Sequence, residues 1–284
     1  MGILLSAPGL VCCAGGGRED FFAAALRGDT GGIVPVSVSG GRRFLVGRVE
    51  DPGPGTAGQG EGRLYSIAAA ALEQIRPEIE KALADFGAER VGVCAGSCDN
   101  GSELSTPAHR AYFLTGAFPG AYELRFQGAA FVSDFIAGLF GLRGPCLTVS
   151  TACASSAGAI VKGAELLGAG LCDAVIAGGA DLASETALLG FSALEALSDT
   201  VCNPFSRNRR GITLGEGAAF FVMRRAGDGP AGKAPAAGTD RAAAANDAPG
   251  GAANAAGRGA DGGGAAGPRI ELLGFGESAD AYHM

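Results

Sequence analysis

The sequence has 284 residues, 47% of them hydrophobic and 18% charged, which is enough apolar material to bury one sizeable core or two modest ones. A net charge of -7, with no long Lys/Arg run, argues against nucleic acid or an anionic membrane as the main partner and favours a soluble one. Eight cysteines (12, 13, 94, 98, 146, 153, 172, 202) include no CxxC pair, and only His109 and His283 stand ready to complete a metal set; this pattern suits a reducing cytosol.

The opening MGILLSAPGLVCC fits an MGxxxS myristoylation pattern and superficially looks like a lipoprotein signal, but it lacks the basic leading segment of a signal peptide. A buried first strand is expected there. Residues 65–86 are expected as a helix and 90–95 as a strand that opens into the polar, glycine-flanked loop 96–101. The most apolar stretch, 129–149, is broken by Asp134 and Arg143 and so falls short of a membrane span. A strand at 146–150, a helix at 154–167 and a strand at 174–178 continue the alternation. That alternation predicts an α/β fold layered around a mixed, largely parallel sheet. Residues 217–223 and 269–276 both have strand character and are expected to pair as antiparallel neighbours. Between them, 226–268 is almost all Ala, Gly, Pro, Asp and Asn, and reads as a flexible insertion. The expected organisation is therefore 1–225, an insertion at 226–268, and a returning strand at 269–284.

The chemistry centres on Cys153, in the run Gly144-Pro-Cys-Leu-Thr-Val-Ser-Thr-Ala-Cys-Ala-Ser-Ser-Ala-Gly-Ala-Ile160. A buried strand followed by a tight turn of small residues and a helix puts this thiol at the helix N-terminus. There, unpaired backbone N–H groups and the positive end of the helix dipole favour the thiolate, and the Cys153 N–H can face a developing oxyanion. The other seven cysteines read as small buried hydrophobes.

Further segments set Cys153 in a family context. They are Gly178-Gly-Ala-Asp181, Gly190-Phe-Ser-Ala-Leu-Glu-Ala-Leu-Ser198, Asn203-Pro-Phe-Ser-Arg-Asn-Arg-Arg-Gly211 and Leu214-Gly-Glu-Gly217. With Thr-Ala-Cys-Ala-Ser-Ser, their order and spacing resemble the β-ketoacyl synthases, the condensing enzymes of the thiolase superfamily. The resemblance runs from about residue 9 to 284, apart from the insertion, and Ser-Thr-Ala-Cys-Ala is most similar to the elongating synthases of fatty-acid synthesis. It implies a thiolase-like fold, of which this chain carries the first half. It also implies an acyl group passed from acyl carrier protein to Cys153, then condensation with malonyl carrier protein by decarboxylation. By the same resemblance Ala152, Ala187 and Phe191 line the acyl pocket, and no metal, nucleotide or flavin cofactor is required. Two alternatives stay open: a chain-length-factor-like partner subunit, and a coenzyme A-dependent thiolase.

The pattern also departs from the family. The two histidines and the lysine that complete the family's catalytic set belong to its second half. His283 matches no catalytic histidine, and His109 is expected in a loop without a catalytic role. A split gene, a frameshift or an incomplete gene model is expected. Asn203 stands where the family often has an arginine for the acidic carrier protein, with Arg63, Arg207, Arg209 and Arg210 as compensating candidates. Glu216 and Asp181 are expected to be structural. A homodimer, or pairing with a chain carrying the second half, is expected, and the apolar runs 131–142 and 146–149 should face those partners.

Overall fold

The computed structural model describes residues 2–50, 52, 62–99, 101–227 and 270–276. In chain order its main elements are β1 (Ile3–Leu5), β2 (Gly9–Cys12), β3 (Gly15–Gly16), α1 (Arg18–Arg27), β4 (Ile33–Ser37) and β5 (Arg43–Gly47). They continue with α2 (Arg63–Gln74), α3 (Arg76–Phe86), β6 (Val91–Gly96), α4 (Ser102–Thr115), α5 (Phe131–Phe140) and β7 (Cys146–Val149). The last are α6 (Ser155–Gly168), β8 (Ala174–Asp181), α7 (Glu185–Ala193), β9 (Leu214–Gly215), β10 (Gly217–Arg225) and β11 (Ile270–Leu272).

The main sheet has the order β11-β1-β10-β8-β6-β7, with β2 beside β10 and β3 beside β2. It is mixed: β7, β6 and β8 are mutually parallel, and the pairs on the β10 side are antiparallel. β6 and β8 carry small or apolar side chains at nearly every position and are buried along their length, as strands covered by helices on both faces should be. One face packs on α2, α3 and α5 through Leu64, Ile67, Leu72, Ile79, Ile136 and Phe220. The other packs on α6, where Ala159, Ala164 and Leu167 meet Cys94, Val175 and Met223. The result is a three-layer α/β arrangement, with β4, β5 and β9 forming a separate small sheet.

The expected first strand is present and its core residues, Ile3 and Val11, are buried, but it is interrupted at Ala7-Pro8 because proline has no N–H for the ladder. Ser6 closes the gap: its N–H donates to the Val222 carbonyl and its hydroxyl accepts from the Val222 N–H, both at 2.9 Å.

Several expectations are corrected. Residues 217–225 and 270–272 are not neighbours, because β1 lies between them with Ile3 opposite Arg225 on one side and Leu272 on the other. Both are antiparallel to β1, so they run the same way and no hairpin joins them. The expected insertion at 226–268 falls almost wholly outside the described residues, as does 277–284 with His283. The helix expected over 65–86 is two helices, broken at Ile75 (φ -111, ψ 15). Pro77 is the cause, since its ring excludes the carbonyl of Glu73; at the start of α3 its missing N–H costs nothing. His109 lies on α4 and not in a loop; its Nδ1 is 2.7 Å from the Ser105 carbonyl oxygen and its ring packs edge-on against Phe118 and Tyr122.

The apolar run 131–142 does not wait for a partner. Phe131, Val132, Phe135, Ile136 and Leu142 are buried in the chain's own core, where Phe131 stacks on Tyr65 with ring centroids 4.5 Å apart. β7 is the opposite case. Expected as a buried strand, it is the sheet's edge, bonded among the described residues to β6 alone, with Cys146 and Leu147 exposed.

Candidate active site

The three parallel strands end together at one edge of the molecule, and the turn between β7 and α6 carries Cys153 there. Two glycines let the start of α6 sit against these strand ends. A Cβ on Gly96 would lie 2.5 Å from the Ser155 carbonyl carbon, and one on Gly179 would lie 2.1 Å from Ser156 Oγ. No other residue fits at either place.

Within the turn, Ala152 takes a left-handed conformation, φ 51. The αL region costs a residue with a Cβ about 1–2 kcal/mol, so the turn must be held by its surroundings. Ser155, itself buried, does part of this: its hydroxyl accepts from the Thr151 N–H at 2.9 Å and donates to the Ala152 carbonyl at 2.7 Å. Cys153 follows directly and is exposed, two residues before the first residue of α6. The placement of the thiol at a helix N-terminus, expected from the turn of small residues, is what the chain adopts.

The loop after β6 braces the same turn. One oxygen of Asp181, at the end of β8, accepts from Ser97 Oγ at 3.0 Å, the Cys98 N–H at 2.7 Å and the Asp99 N–H at 2.9 Å. Asp181 is thus a loop organiser, as its motif suggested. Cys98, held by that bond, donates its thiol to the Ala152 carbonyl at 2.9 Å and lies 3.3 Å from Ser155 Oγ. Reading it as a small buried hydrophobe missed this, since Cys98 is exposed. Its turn partner lies 54 residues away in sequence, so no local signal pointed to the contact.

Of the pocket residues, Ala152 shares the turn with Cys153, while Ala187 and Phe191 stand one helical turn apart on α7. α7 begins four residues after Asp181, and the Ser184 hydroxyl caps it by accepting the Ala187 N–H at 3.3 Å. Both Ala187 and Phe191 are half-buried. Three clefts of about 710, 780 and 600 Å³ are lined by other residues, and Cys153 is exposed.

Among the basic candidates, Arg207, Arg209 and Arg210 are exposed, but Arg63 is not available for docking. Its Nε lies 2.9 Å from Oε1 of buried Glu216, which also accepts the Val49 N–H at 2.9 Å. Glu216 is therefore the structural ion-pair partner expected. Phe205, with φ 61, is fully exposed.

Burial separates the other thiols chemically. It pushes Cys94 up to about 12 and Cys172 to about 11, leaving both protonated and inert. Among the described residues no group of three His, Cys, Asp or Glu side chains is placed to hold a metal ion. An exposed thiol on a strained strand-to-helix turn, two residues before the helix begins, is an arrangement suited to nucleophilic attack on a carbonyl.

Comparison with known proteins agrees with this geometry. Residues 64–228 match the family model described as "Beta-ketoacyl synthase, N-terminal domain". The 3-oxoacyl-[acyl-carrier-protein] synthase 2 of Vibrio cholerae is 32% identical over 235 residues, covering 78% of this chain and 47% of that protein. Nodulation protein E of Rhizobium meliloti is 34% identical over 139 residues, covering 49% of this chain and 33% of that protein. The chain thus spans about half the length, or less, of the curated relatives it matches. Among solved structures, a chain from the complex of ketosynthase ApeO with its chain length factor ApeC, from Xenorhabdus doucetiae, superimposes with a TM-score of 0.72 at 32% identity. That match covers 80% of this chain and 59% of the other. The ishigamide ketosynthase/chain length factor gives a TM-score of 0.68 at 25% identity, covering 78% and 58%. The fold is thiolase-like, as the sequence motifs implied.

Proposed function

Because the chain belongs to the β-ketoacyl synthase family through that family's N-terminal domain, we propose that it forms the acyl-thioester of a 3-oxoacyl-[acyl-carrier-protein] synthase on Cys153. The Cys153 sulfur attacks the thioester carbonyl of an acyl carrier protein. The tetrahedral oxyanion is held by the Cys153 backbone N–H, just before α6, and collapses to release the carrier thiol. Malonyl carrier protein then loses carbon dioxide, and its carbanion displaces Cys153 to give a 3-oxoacyl carrier protein two carbons longer. Ala152, Ala187 and Phe191 line the acyl chain's path, and exposed Arg207, Arg209 and Arg210 meet the acidic carrier protein.

The observation that carries this reading is the exposed Cys153 on its braced turn between β7 and α6. The acylation step needs groups present in this chain. Decarboxylation needs donors to the malonyl carbonyl, which the proposal places in the remaining half of the relatives' length. The exposure of Cys153 is compatible with a pocket completed by that half.

Incubation with a labelled acyl carrier protein, with a ketosynthase second half supplied, tests the proposal. Covalent label on the wild-type chain and its loss in Cys153→Ala are expected, the label falling to background. A wild-type chain that takes no label overturns the reading. Strong preference for acyl coenzyme A over acyl carrier protein as donor would move the assignment to a thiolase. A second reading, a non-acylated partner like a chain length factor, draws on the ketosynthase/chain length factor complexes among its structural neighbours, but Cys153 stands against it.

A further inference from the structure

A second thiol reaches the nucleophile turn. The Cys98 sulfur lies 2.9 Å from the Ala152 carbonyl oxygen and 3.3 Å from Ser155 Oγ. The Ala152 carbonyl belongs to the same planar peptide unit as the Cys153 N–H, so whatever fixes one fixes the direction of the other. That carbonyl accepts three bonds, from the Ser155 N–H at 3.1 Å, the Ser155 hydroxyl and the Cys98 thiol, and the residue it belongs to is held at φ 51. These donors oppose a rotation of the peptide that would release the strain, and of the three only the thiol comes from outside the turn and α6. Cys98 is itself anchored at the far side by its N–H bond to Asp181. A continuous chain thus runs from the end of β8, through the loop after β6, to the peptide that presents the nucleophile.

From this geometry we infer that Cys98 is a positioning residue: its thiol, together with the Ser155 hydroxyl, locks the Ala152–Cys153 peptide in its strained orientation and so aims the Cys153 sulfur and N–H. The inference rests on the reading of Cys153 as the acyl acceptor, but it concerns orientation and is measurable without acyl transfer. Without the thiol donor, the turn relaxes part of the time to an unstrained conformer in which Cys153 no longer stands at the start of α6. Losing one hydrogen bond of ordinary net worth changes such an equilibrium by about fivefold.

The test is alkylation of the intact chain by limiting iodoacetamide, followed by mass spectrometry of the Cys153 peptide, with the exposed Cys146 as internal reference. Cys98→Ala is expected to slow Cys153 modification relative to Cys146, by at most about fivefold. Cys98→Ser keeps a donor at the same place and is expected to restore the rate to within about twofold. A general loosening of the fold would shift both cysteines and would not be rescued by serine. Equal Cys153 rates in wild type and Cys98→Ala overturn the inference, as does a Cys98→Ser variant no faster than Cys98→Ala. A wild type that alkylates as expected but takes no acyl label instead defeats the proposed function and leaves the positioning role standing.

Discussion

At the scale of single residues, the site depends on groups that leave room as much as on groups that react. Gly96 and Gly179 allow α6 to start against the ends of β6 and β8, and a methyl group at Gly179 meets Ser156 Oγ at 2.1 Å. Gly179→Ala therefore forces Ser156 or the helix to move and also crowds the Gly96 carbonyl oxygen of β6, 2.6 Å away. It is expected to cost about 1–3 kcal/mol in chemical denaturation and to slow Cys153 labelling, because the displaced helix carries the turn with it. Asp181 gathers three donors on one oxygen. Asp181→Ala leaves the loop N–H groups without that acceptor and is expected to cost about 1–3 kcal/mol, measured the same way. Cys153 was legible in the sequence because its chemistry is local: strand, small-residue turn and helix are contiguous. Cys98 was not, because its significance comes from an approach between two loops far apart in the chain.

Among the elements, β6, β7 and α6 were legible to within a residue and β8 to within three at its end, since β-branched runs and alanine-rich stretches sit where burial on two faces demands them. The errors arose where long-range pairing decides. Nothing in residues 217–225 or 270–272 reveals that β1 inserts between them, and nothing in Cys-Leu-Thr-Val distinguishes an edge strand from a central one. The end of α7 shows local sequence paying a structural cost: Glu195 sits at φ 54. Its N–H donates to the Ser192 carbonyl and the Ala196 N–H to the Phe191 carbonyl, each at 3.0 Å, which is the double bond pattern that closes a helix with a left-handed residue. Glycine suits that position and glutamate does not. Glu195→Gly is expected to raise stability by about 1 kcal/mol, seen as a higher denaturant midpoint with an unchanged slope. A second element-scale feature ties strands to the end of α6. Asp173 bonds Arg90 at 2.7 Å and pairs with Arg225, which also donates to the Leu167 carbonyl at 2.8 Å. The hydrogen bond from Arg90, more than burial opposes it, holds the Asp173 carboxyl below its ordinary value of 3.8. A depressed folded-state value means that this contribution to stability is intact above pH 3.8 and is lost as the pH falls further, through the folded value. Asp173→Asn should therefore flatten the acid limb of a stability–pH profile below about pH 4 and leave its shape at neutral pH unchanged.

For the whole molecule, the distribution of apolar surface decides how the chain behaves in solution. The core is internally complete where α2, α3 and α5 cover the sheet, so the protein does not need a partner to bury the run from Phe131 to Leu142. Its uncovered apolar features include β7, whose outer edge has no strand beside it among the described residues, and the end of α4, where Phe113 is 82% and Leu114 79% exposed. An edge strand with free backbone groups and no charged residue among Cys146, Leu147, Thr148 and Val149 has none of the usual protection against pairing with another chain. We therefore expect the purified chain to associate in a concentration-dependent way, seen by sedimentation. Leu147→Lys places a charge on the exposed edge without touching the core, since Leu147 is already 41% exposed. It should weaken association at least tenfold, about 1.4 kcal/mol, while unfolding stays cooperative and the denaturant midpoint stays close to that of the wild type. A wild-type chain that sediments as a monomer at every concentration would show that β7 is protected in some other way. Association undiminished by Leu147→Lys would move the contact to another exposed apolar surface, such as Phe113–Leu114.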